Sequence, residues 1–85
     1  MEKYEIEFRR SVEKELSKIP KQDQIRILKK TLALASNPRP PYSQKLSGQE
    51  RYRIRQGIYR IVYEIYDDRL VIVIVRIAHR KDVYK

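Results

Sequence analysis

Apolar and polar residues alternate with two different periods along the chain, and the change of period separates strands from helices. Tyr4, Ile6 and Phe8 alternate with charged residues, a period of two that predicts a half-buried strand. From Ser11, a residue type that caps helices, apolar residues recur at helical spacing until Pro20 ends the turn. A strand and then a helix are therefore expected at the start of the chain.

A second helix is predicted over about residues 21–36, and the short connection at Pro20 joins the two helices into a hairpin. The first helix is expected to bury Val12, Leu16 and Ile19. The second is expected to bury a wider stripe, formed by Ile25, Ile27, Leu28, Leu32, Leu34 and Ala35. Residues 37–48 contain prolines that cannot continue a helix, so they are predicted to form a loop that closes at Gly48.

The remaining sequence is rich in strand-forming residues. Strands are predicted over residues 49–55, 58–66 and 70–78, separated by Gln56-Gly57 and by Asp67-Asp68-Arg69. This order predicts an α+β fold: an N-terminal strand, a two-helix hairpin and a three-stranded antiparallel meander. The helices should pack on one face of a curved antiparallel sheet, within a single domain that spans residues 1–85.

Alternation along the predicted hairpin separates a cationic face from an apolar face. If Gln56-Gly57 is a two-residue loop, Arg53 stands opposite Arg60. One face then carries Arg51, Arg53, Arg55 and Arg60. The other face carries Tyr52, Ile54, Tyr59, Ile61, Tyr63 and Ile65. Opposed like charges repel, so the cationic face is either a solvated strand surface or a site where an anion such as phosphate sits between guanidinium groups.

The register of the last strand depends on the length of the loop before it. A two-residue loop at Asp67-Asp68 would turn Arg76 into the core, where an unpaired charge costs several kcal/mol. A three-residue loop that ends at Arg69 aligns Arg76 with Arg60 instead, and it is the register we predict. It turns four residues inward: Val71, Val73, Val75 and Ile77.

Charge and composition restrict the partners. Twenty Lys and Arg against 11 Asp and Glu give a net charge of +9, which favours a polyanion or an acidic protein as partner. With no cysteine and one histidine, neither a disulfide nor a metal site is expected, and we predict no cofactor. No apolar run approaches the roughly 18 residues of a membrane span, so we expect a cytoplasmic protein with no membrane partner.

The chain resembles the RelE/ParE toxin superfamily, and within it the RelE branch. In chain order, the motifs that carry the resemblance are Tyr4-x-Ile6-x-Phe8, Asn37-Pro38, Lys45-Leu46-Ser47-Gly48, Tyr52-Arg53-Ile54-Arg55-x-Gly57-x-Tyr59-Arg60-Ile61-Val62-Tyr63 and His79-Arg80-Lys81-Asp82-Val83-Tyr84. Their order and spacing cover nearly the whole chain. The resemblance implies a toxin of a type II toxin–antitoxin system that cleaves mRNA in the decoding site of the ribosome without a metal. It also implies an acidic cognate antitoxin that holds the toxin silent.

The resemblance also implies where the site lies. Metal-free cleavage uses the ribose 2′-OH as nucleophile, so the protein must stabilise charge at the phosphate and transfer protons. The candidate catalytic residues are Arg53, Arg55, Arg60, His79, Arg80 and Tyr84. The candidate RNA-binding residues are Arg51, Arg76, Lys45 and Lys81.

The general base is the point at which the sequence departs from the family pattern. The pattern places a lysine with the base role where Arg55 stands, and arginine is effectively always protonated. His79 or Glu64 could substitute as the base, although Glu64 is also an ordinary counter-ion for the cationic face. Two other functions stay open: inhibition of DNA gyrase, as in the ParE branch, and nucleic-acid binding without catalysis.

Overall fold

The computed structural model describes residues 3–46 and 50–79. Within these ranges two helices accompany a five-stranded sheet whose strand order is β1-β5-β4-β3-β2. The elements are β1 (Glu5–Phe8), α1 (Arg10–Ser17), α2 (Lys21–Ala33), β2 (Gln44–Lys45), β3 (Arg51–Gln56), β4 (Tyr59–Tyr66) and β5 (Val71–His79). The predicted α+β fold, with a helical hairpin between the first strand and a meander, is confirmed.

The sheet is mixed, so the expectation of a wholly antiparallel sheet is wrong. β1 lies parallel to β5, with Ile6 beside Ile72 and Phe8 beside Ile74. This pairing brings the apolar residues of the first strand level with those of the last, which keeps both sets on one face. At the other edge, β2 pairs with β3 inside a segment that was predicted to be a loop. A strand of two residues is too short to produce a strand pattern in the sequence.

The β3–β4 hairpin has the predicted faces but a different register. Its turn is Gly57-Ile58, and Gly57 has φ of 61°, the left-handed value that glycine adopts without a steric penalty. Arg55 therefore faces Arg60, where the sequence had suggested that Arg53 does. The pairing differs by two residues, an even number, so every side chain keeps its predicted face. The buried residues of this hairpin are Tyr52, Ile54, Ile61, Tyr63 and Ile65.

A β-bulge in β5 resolves the parity problem of the last strand. Val62 faces Arg76 but Tyr63 faces Ile74, so Val75 is an extra residue in β5. Residues 67–70 form the turn before this strand. A turn of four residues directs the side chains of β5 to the same faces as the two-residue loop that we did not favour from the sequence. The bulge then reverses the alternation, so Arg76 is exposed as predicted.

The core positions predicted for β5 are largely wrong for the same reason. Ile72 and Ile74 are fully buried, whereas Val71, Val73 and Val75 are only partly buried. Ile77 is buried as predicted, since it lies beyond the bulge and faces Ile61. Arg76 faces Val62 instead of Arg60, so the predicted alignment of these two arginines is also wrong.

The two helices bury the faces that pack against the sheet. Val12, Leu16 and Ile19 contribute to the core as predicted, although α1 begins at Arg10 and the N-cap is Arg9, not Ser11. In α2 the buried residues are Ile27 and Thr31, and Leu34, the residue after the helix, is also buried; Ile27 and Leu34 were predicted to be buried. Ile25 and Leu32, which were predicted to be buried, are instead 47% and 56% exposed. The Thr31 hydroxyl donates to the Ile27 carbonyl at 2.7 Å, so this buried polar group has a hydrogen-bond partner.

Arg39 fastens the proline-rich segment to the end of the sheet. Its guanidinium contacts Asp67 at 2.8 Å and Glu50 at 2.6 Å, and its Nε donates to the Tyr52 hydroxyl at 3.0 Å. The Tyr4 hydroxyl donates to Asp67 at 2.5 Å, so the first strand joins the same network. These contacts lower the pKa of both carboxyl groups below their ordinary values. In the described residues, neither helix is long and apolar enough to cross a membrane.

Candidate functional site

The arginine face is the surface of the β3–β4 hairpin, and of the adjoining part of β5, that lies away from the buried face. It consists of Arg51, Arg53, Arg55, Arg60 and Arg76. Arg55 and Arg60 are direct cross-strand partners, and such positions bring Cβ atoms to about 5 Å. Two guanidinium groups thus start from adjacent positions at the end of the hairpin that carries the turn.

Burial differs strongly between the members of this pair. Arg60 is 4% exposed although it is charged, whereas Arg55 is exposed. Water screens a buried guanidinium less than an exposed one, so its interaction with a bound anion is stronger. Arg55, on an exposed side chain, can approach the same anion from solvent. The pair therefore combines one buried and one exposed cation.

The opposite end of the arginine face is neutralised by Glu64. The Arg51 guanidinium forms an ion pair with Glu64, with Nε at 3.1 Å, and Arg9 approaches the same carboxylate at 3.5 Å. The Tyr66 hydroxyl donates to it at 2.9 Å. The hydrogen bond from Arg51 is the main reason why the pKa of Glu64 lies below its ordinary value. Glu64 is therefore the counter-ion of this end, as the more conservative interpretation of the sequence held.

Arg76 lies at the edge of the same surface and also has an acidic neighbour. Its Nε is 3.9 Å from Glu15 of α1, whose other oxygen accepts a hydrogen bond from the Ile77 N–H at 2.9 Å. A shallow depression of about 280 Å³ separates Arg76 from Arg51, and it has an apolar floor. Leu46, Val62 and Val75 form that floor.

Arg53 lies between the two ends and is oriented by a residue that the sequence did not single out. Gln44 of β2 is its cross-strand neighbour, and the Gln44 side-chain oxygen accepts a hydrogen bond from the Arg53 guanidinium. This contact depends on the pairing of β2 with β3, which joins residues nine positions apart in the sequence. No short-range pattern signals such a pair, so sequence analysis could not have found it.

Two of the predicted site residues lie elsewhere. His79 faces Tyr59 in the β4–β5 pairing, and the two rings meet edge to face at 6.0 Å. The neighbouring pair is Arg60 with Ala78, so His79 starts from the opposite face of the sheet from Arg60. Lys45 faces Tyr52, also on the helix side, and its Nζ forms an ion pair with Glu50 at 3.1 Å.

Three of the predicted site residues, Arg80, Lys81 and Tyr84, lie outside the described residues. The described strand β5 ends at His79, one residue before this segment and directly after the partner of Arg60. Among residues 3–46 and 50–79, no group of three or more His, Cys, Asp or Glu side chains could hold a metal ion. What the described site offers is cationic charge for binding an anion and for stabilising negative charge that develops on it.

Comparison with known proteins identifies the class to which this fold and this face belong. The sequence profile of the family described as ParE toxin of type II toxin–antitoxin system, parDE, matches residues 6–84. A protein of Escherichia coli whose name describes it as RelE-like toxin is 33% identical over 87 residues, which cover 96% of this chain and 90% of that protein. The chain therefore belongs to the RelE/ParE superfamily of toxins, and it is a RelE-like toxin of a toxin–antitoxin system.

Solved structures agree with this assignment. The toxin–antitoxin complex RelBE2 from Mycobacterium tuberculosis contains a chain with a TM-score of 0.82 and 26% identity, covering 96% of this chain and 97% of that one. The archaeal RelE–RelB complex from Pyrococcus horikoshii contains a chain with a TM-score of 0.81 and 27% identity. In that comparison, 94% of this chain and 98% of the other are covered.

Proposed function

We propose that this toxin is a metal-independent endoribonuclease that cleaves mRNA on the ribosome through the arginine face. The observation that carries the proposal is the cross-strand pair formed by Arg55 and Arg60, with Arg53 two residues away on β3. Guanidinium groups match phosphate oxygens in bidentate fashion, so adjacent arginines suit a phosphate whose negative charge increases during the reaction.

The distribution of carboxylates along the arginine face supports the Arg55 end as the place where RNA binds. A surface that served only solubility gains from carboxylates spread among its cations, and Glu64 plays this part at the Arg51 end. At the Arg55 end, by contrast, none of the described carboxylates lies within ion-pair distance of Arg55. An arginine without a neighbouring carboxylate is less unfavourable for the fold when an anion normally binds beside it.

The proposed reaction begins with attack of the ribose 2′-oxygen on the adjacent phosphorus. The bond from phosphorus to the 5′-oxygen breaks, leaving a 2′,3′-cyclic phosphate and a free 5′-hydroxyl. Arg53, Arg55 and Arg60 stabilise the phosphorane charge, and the ribosome orients the mRNA. Arg80 protonates or stabilises the leaving oxygen, and Tyr84 stacks on a base or orients the nucleophile. Arg51, Arg76 and Lys81 contribute to RNA binding through charge, whereas Lys45, on the other face of the sheet and paired with Glu50, is not part of this surface.

Two side chains are candidates for proton abstraction. Glu64 is a weak base because its ion pairs hold its pKa below the ordinary value, and it lies four residues along β4 from Arg60. The imidazole of His79 can accept a proton, but its place beside Tyr59 means that its ring must reach around the end of β5 to act at the arginine face. His79→Ala tests whether His79 is the base, because loss of the base would lower the single-turnover cleavage rate without weakening RNA binding.

The partner that silences the toxin is, in this proposal, an acidic antitoxin. Several of the similar solved structures are complexes of a RelE-type toxin with a RelB-type antitoxin. The net charge of +9 is complementary to an acidic chain. Ile25 and Leu32 on the exposed face of α2 provide apolar area that an amphipathic segment can cover. Action on ribosomes places the toxin in the cytoplasm.

A second candidate is inhibition of DNA gyrase, because the matching family profile carries the ParE name. The experiment that separates the two is addition of the purified toxin to a translation extract, with mapping of mRNA ends, alongside a gyrase supercoiling assay. The proposal expects new mRNA ends that depend on ribosomes, and unchanged supercoiling. Inhibited supercoiling with intact mRNA would support the alternative.

A further inference from the structure

An open cleft lies at the edge of the sheet, next to the Arg55 end of the arginine face. It has a volume of about 360 Å³, which is in the size range of small-molecule sites. Its lining consists of Lys30, Tyr42, Gln44, Arg53 and Arg55. Two of these residues belong to the arginine face, whereas Lys30 comes from α2 and Tyr42 from the loop before β2. The cleft therefore continues the proposed site around the sheet edge.

Tyr42 is held at the cleft by a turn that the prolines make rigid. The Pro40 carbonyl accepts hydrogen bonds from the Ser43 N–H at 2.9 Å and from the Ser43 hydroxyl at 2.7 Å. Pro40 is buried, and Tyr42 next to this anchor is 53% exposed. An exposed tyrosine on a fixed turn loses little conformational entropy when a flat group stacks on it. Its position indicates a stacking platform rather than a core residue.

The cleft combines this ring with three cations. Lys30 Nζ lies over the Tyr42 ring, 4.7 Å from its centroid, and the Gln44 side-chain oxygen accepts a hydrogen bond from the Arg53 guanidinium. Within residues 3–46 and 50–79, no carboxylate lies within ion-pair distance of Lys30 or Arg55. By contrast, the ion pairs of Arg39 and Arg51 tie those cations to acidic neighbours. The cleft thus contains positive charge without acidic neighbours among the described residues, unlike the surface around Arg39 and Arg51.

We propose that this cleft is a nucleotide subsite that binds the mRNA residue next to the scissile phosphate. The base stacks on the exposed surface of Tyr42, and the phosphate of that nucleotide lies between Lys30 and Arg55. An aromatic platform interleaved with cations is the arrangement that binds single-stranded RNA with little base preference. An acidic peptide would satisfy the cations but would leave the tyrosine ring without a flat partner. This inference rests on the proposed function and extends it beyond the arginine face.

The test measures binding of a single-stranded 2′-O-methyl RNA, which lacks the nucleophile, by fluorescence anisotropy over a range of salt concentrations. Tyr42→Ala should weaken binding about 5- to 100-fold, and Tyr42→Phe should bind like the wild type because it keeps the ring. Lys30→Gln should weaken binding and reduce the slope of log affinity against log salt by about 0.7. Lys29→Gln, which removes the same charge from an exposed neighbour on α2, is the matched control and should lose less.

The inference is overturned if Tyr42→Ala binds the RNA as tightly as wild type, or if Lys29→Gln and Lys30→Gln lose affinity equally. A Tyr42→Ala variant that keeps RNA affinity but loses affinity for a polyglutamate peptide would also overturn it, since the cleft would then be a protein-binding site. The failure of the proposed function is distinguishable. Wild type would bind the RNA through Tyr42 and Lys30 but would leave mRNA on ribosomes uncut.

Discussion

Arg55 and Arg60 face each other across the turn end of the β3–β4 hairpin, while four residues along β4 the same face carries Glu64 opposite Arg51. The two pairs have opposite electrostatic character. One places like charges together, and the other is an ion pair supported by Arg9 and Tyr66. The hairpin thus separates an anion-binding end from a neutralised end that maintains the fold.

Anions should stabilise the protein through the Arg55 end. Phosphate or sulfate that binds only the native state stabilises it by RT ln(1 + c/Kd), where c is the free anion concentration, so it raises the melting temperature as its concentration increases. We expect millimolar sulfate to raise the melting temperature of the wild type more than that of Arg55→Gln. The exposed residue Arg26, whose only described ion pair is with Asp23 on the same helix, provides the control. Arg26→Gln should keep the full sulfate effect in differential scanning fluorimetry, and an equal loss in both variants would mean that sulfate acts through net charge alone.

Glu64 should make stability depend on pH in one direction. Its pKa in the folded protein lies below the 4.5 of an ordinary glutamate, so its ion pairs stabilise the protein above that pH. The stabilisation is lost as the pH falls through the lowered pKa. Glu64→Gln should therefore cost about 1 kcal/mol of unfolding free energy at pH 7 and progressively less below pH ~4. Urea titrations at several pH values measure this difference.

The exposed residue Glu7 provides the comparison for Glu64. The parallel register of β1 places it on the same side of the sheet, but at the far edge beside Val73. Glu7→Gln removes the same charge without removing the described partners of Glu64. A pH profile of Glu7→Gln that matches that of Glu64→Gln would contradict the role of the specific ion pairs.

Glu15 should stabilise β5 beyond the end of β1. Its carboxylate accepts the Ile77 N–H at 2.9 Å, a main-chain donor that β1 does not reach because β1 pairs only with residues 71–74. Glu15→Ala leaves this part-buried donor without its acceptor, so we expect a loss of about 1 to 3 kcal/mol. Glu13→Ala, an exposed change on the same helix, should cost much less. Chemical denaturation measures the unfolding free energy of both variants. Equal losses of unfolding free energy would mean that the effect comes from the helix and not from the hydrogen bond to Ile77.

Arg39 should couple the proline-rich segment to the sheet. Arg39→Gln removes ion pairs to Glu50 and Asp67, so it should lower the melting temperature more than Tyr4→Phe, which removes one hydrogen bond to Asp67. In a double-mutant cycle of Arg39→Gln with Asp67→Asn, the double variant should lose less unfolding free energy than the sum of the two single losses. Strict additivity of the two changes would contradict the network.

The parts of the fold that the sequence predicts are those governed by local periodicity. Alternation along the hairpin assigned every side chain from Tyr52 to Ile65 to its face, even though the turn lies one residue later than predicted. The buried stripe of α1 follows from helical spacing in the same way. The resemblance of the motifs also placed the chain in its superfamily, which the family profile and the relatives confirm.

The parts that the sequence does not predict depend on contacts between distant segments. The bulge at Val75 inserts one residue that no local pattern reveals, and it inverted the predicted core of β5. Likewise, the position of the sheet decides which apolar residues of α2 are buried, so Ile27 is buried whereas Ile25 and Leu32 are exposed. In the candidate site, Gln44 and Tyr42 reach the arginines only through the pairing of β2 with β3.

The central claim is that the Arg55–Arg60 end of the hairpin carries the cutting of mRNA. The most direct measurement is the single-turnover cleavage rate of mRNA on programmed ribosomes, with the new 3′ ends tested for a 2′,3′-cyclic phosphate. The account predicts that Arg55→Ala lowers this rate about 100-fold while Arg26→Ala leaves it unchanged, and that the product carries the cyclic phosphate. Single-turnover cleavage at the wild-type rate by both Arg55→Ala and Arg60→Lys would contradict the claim.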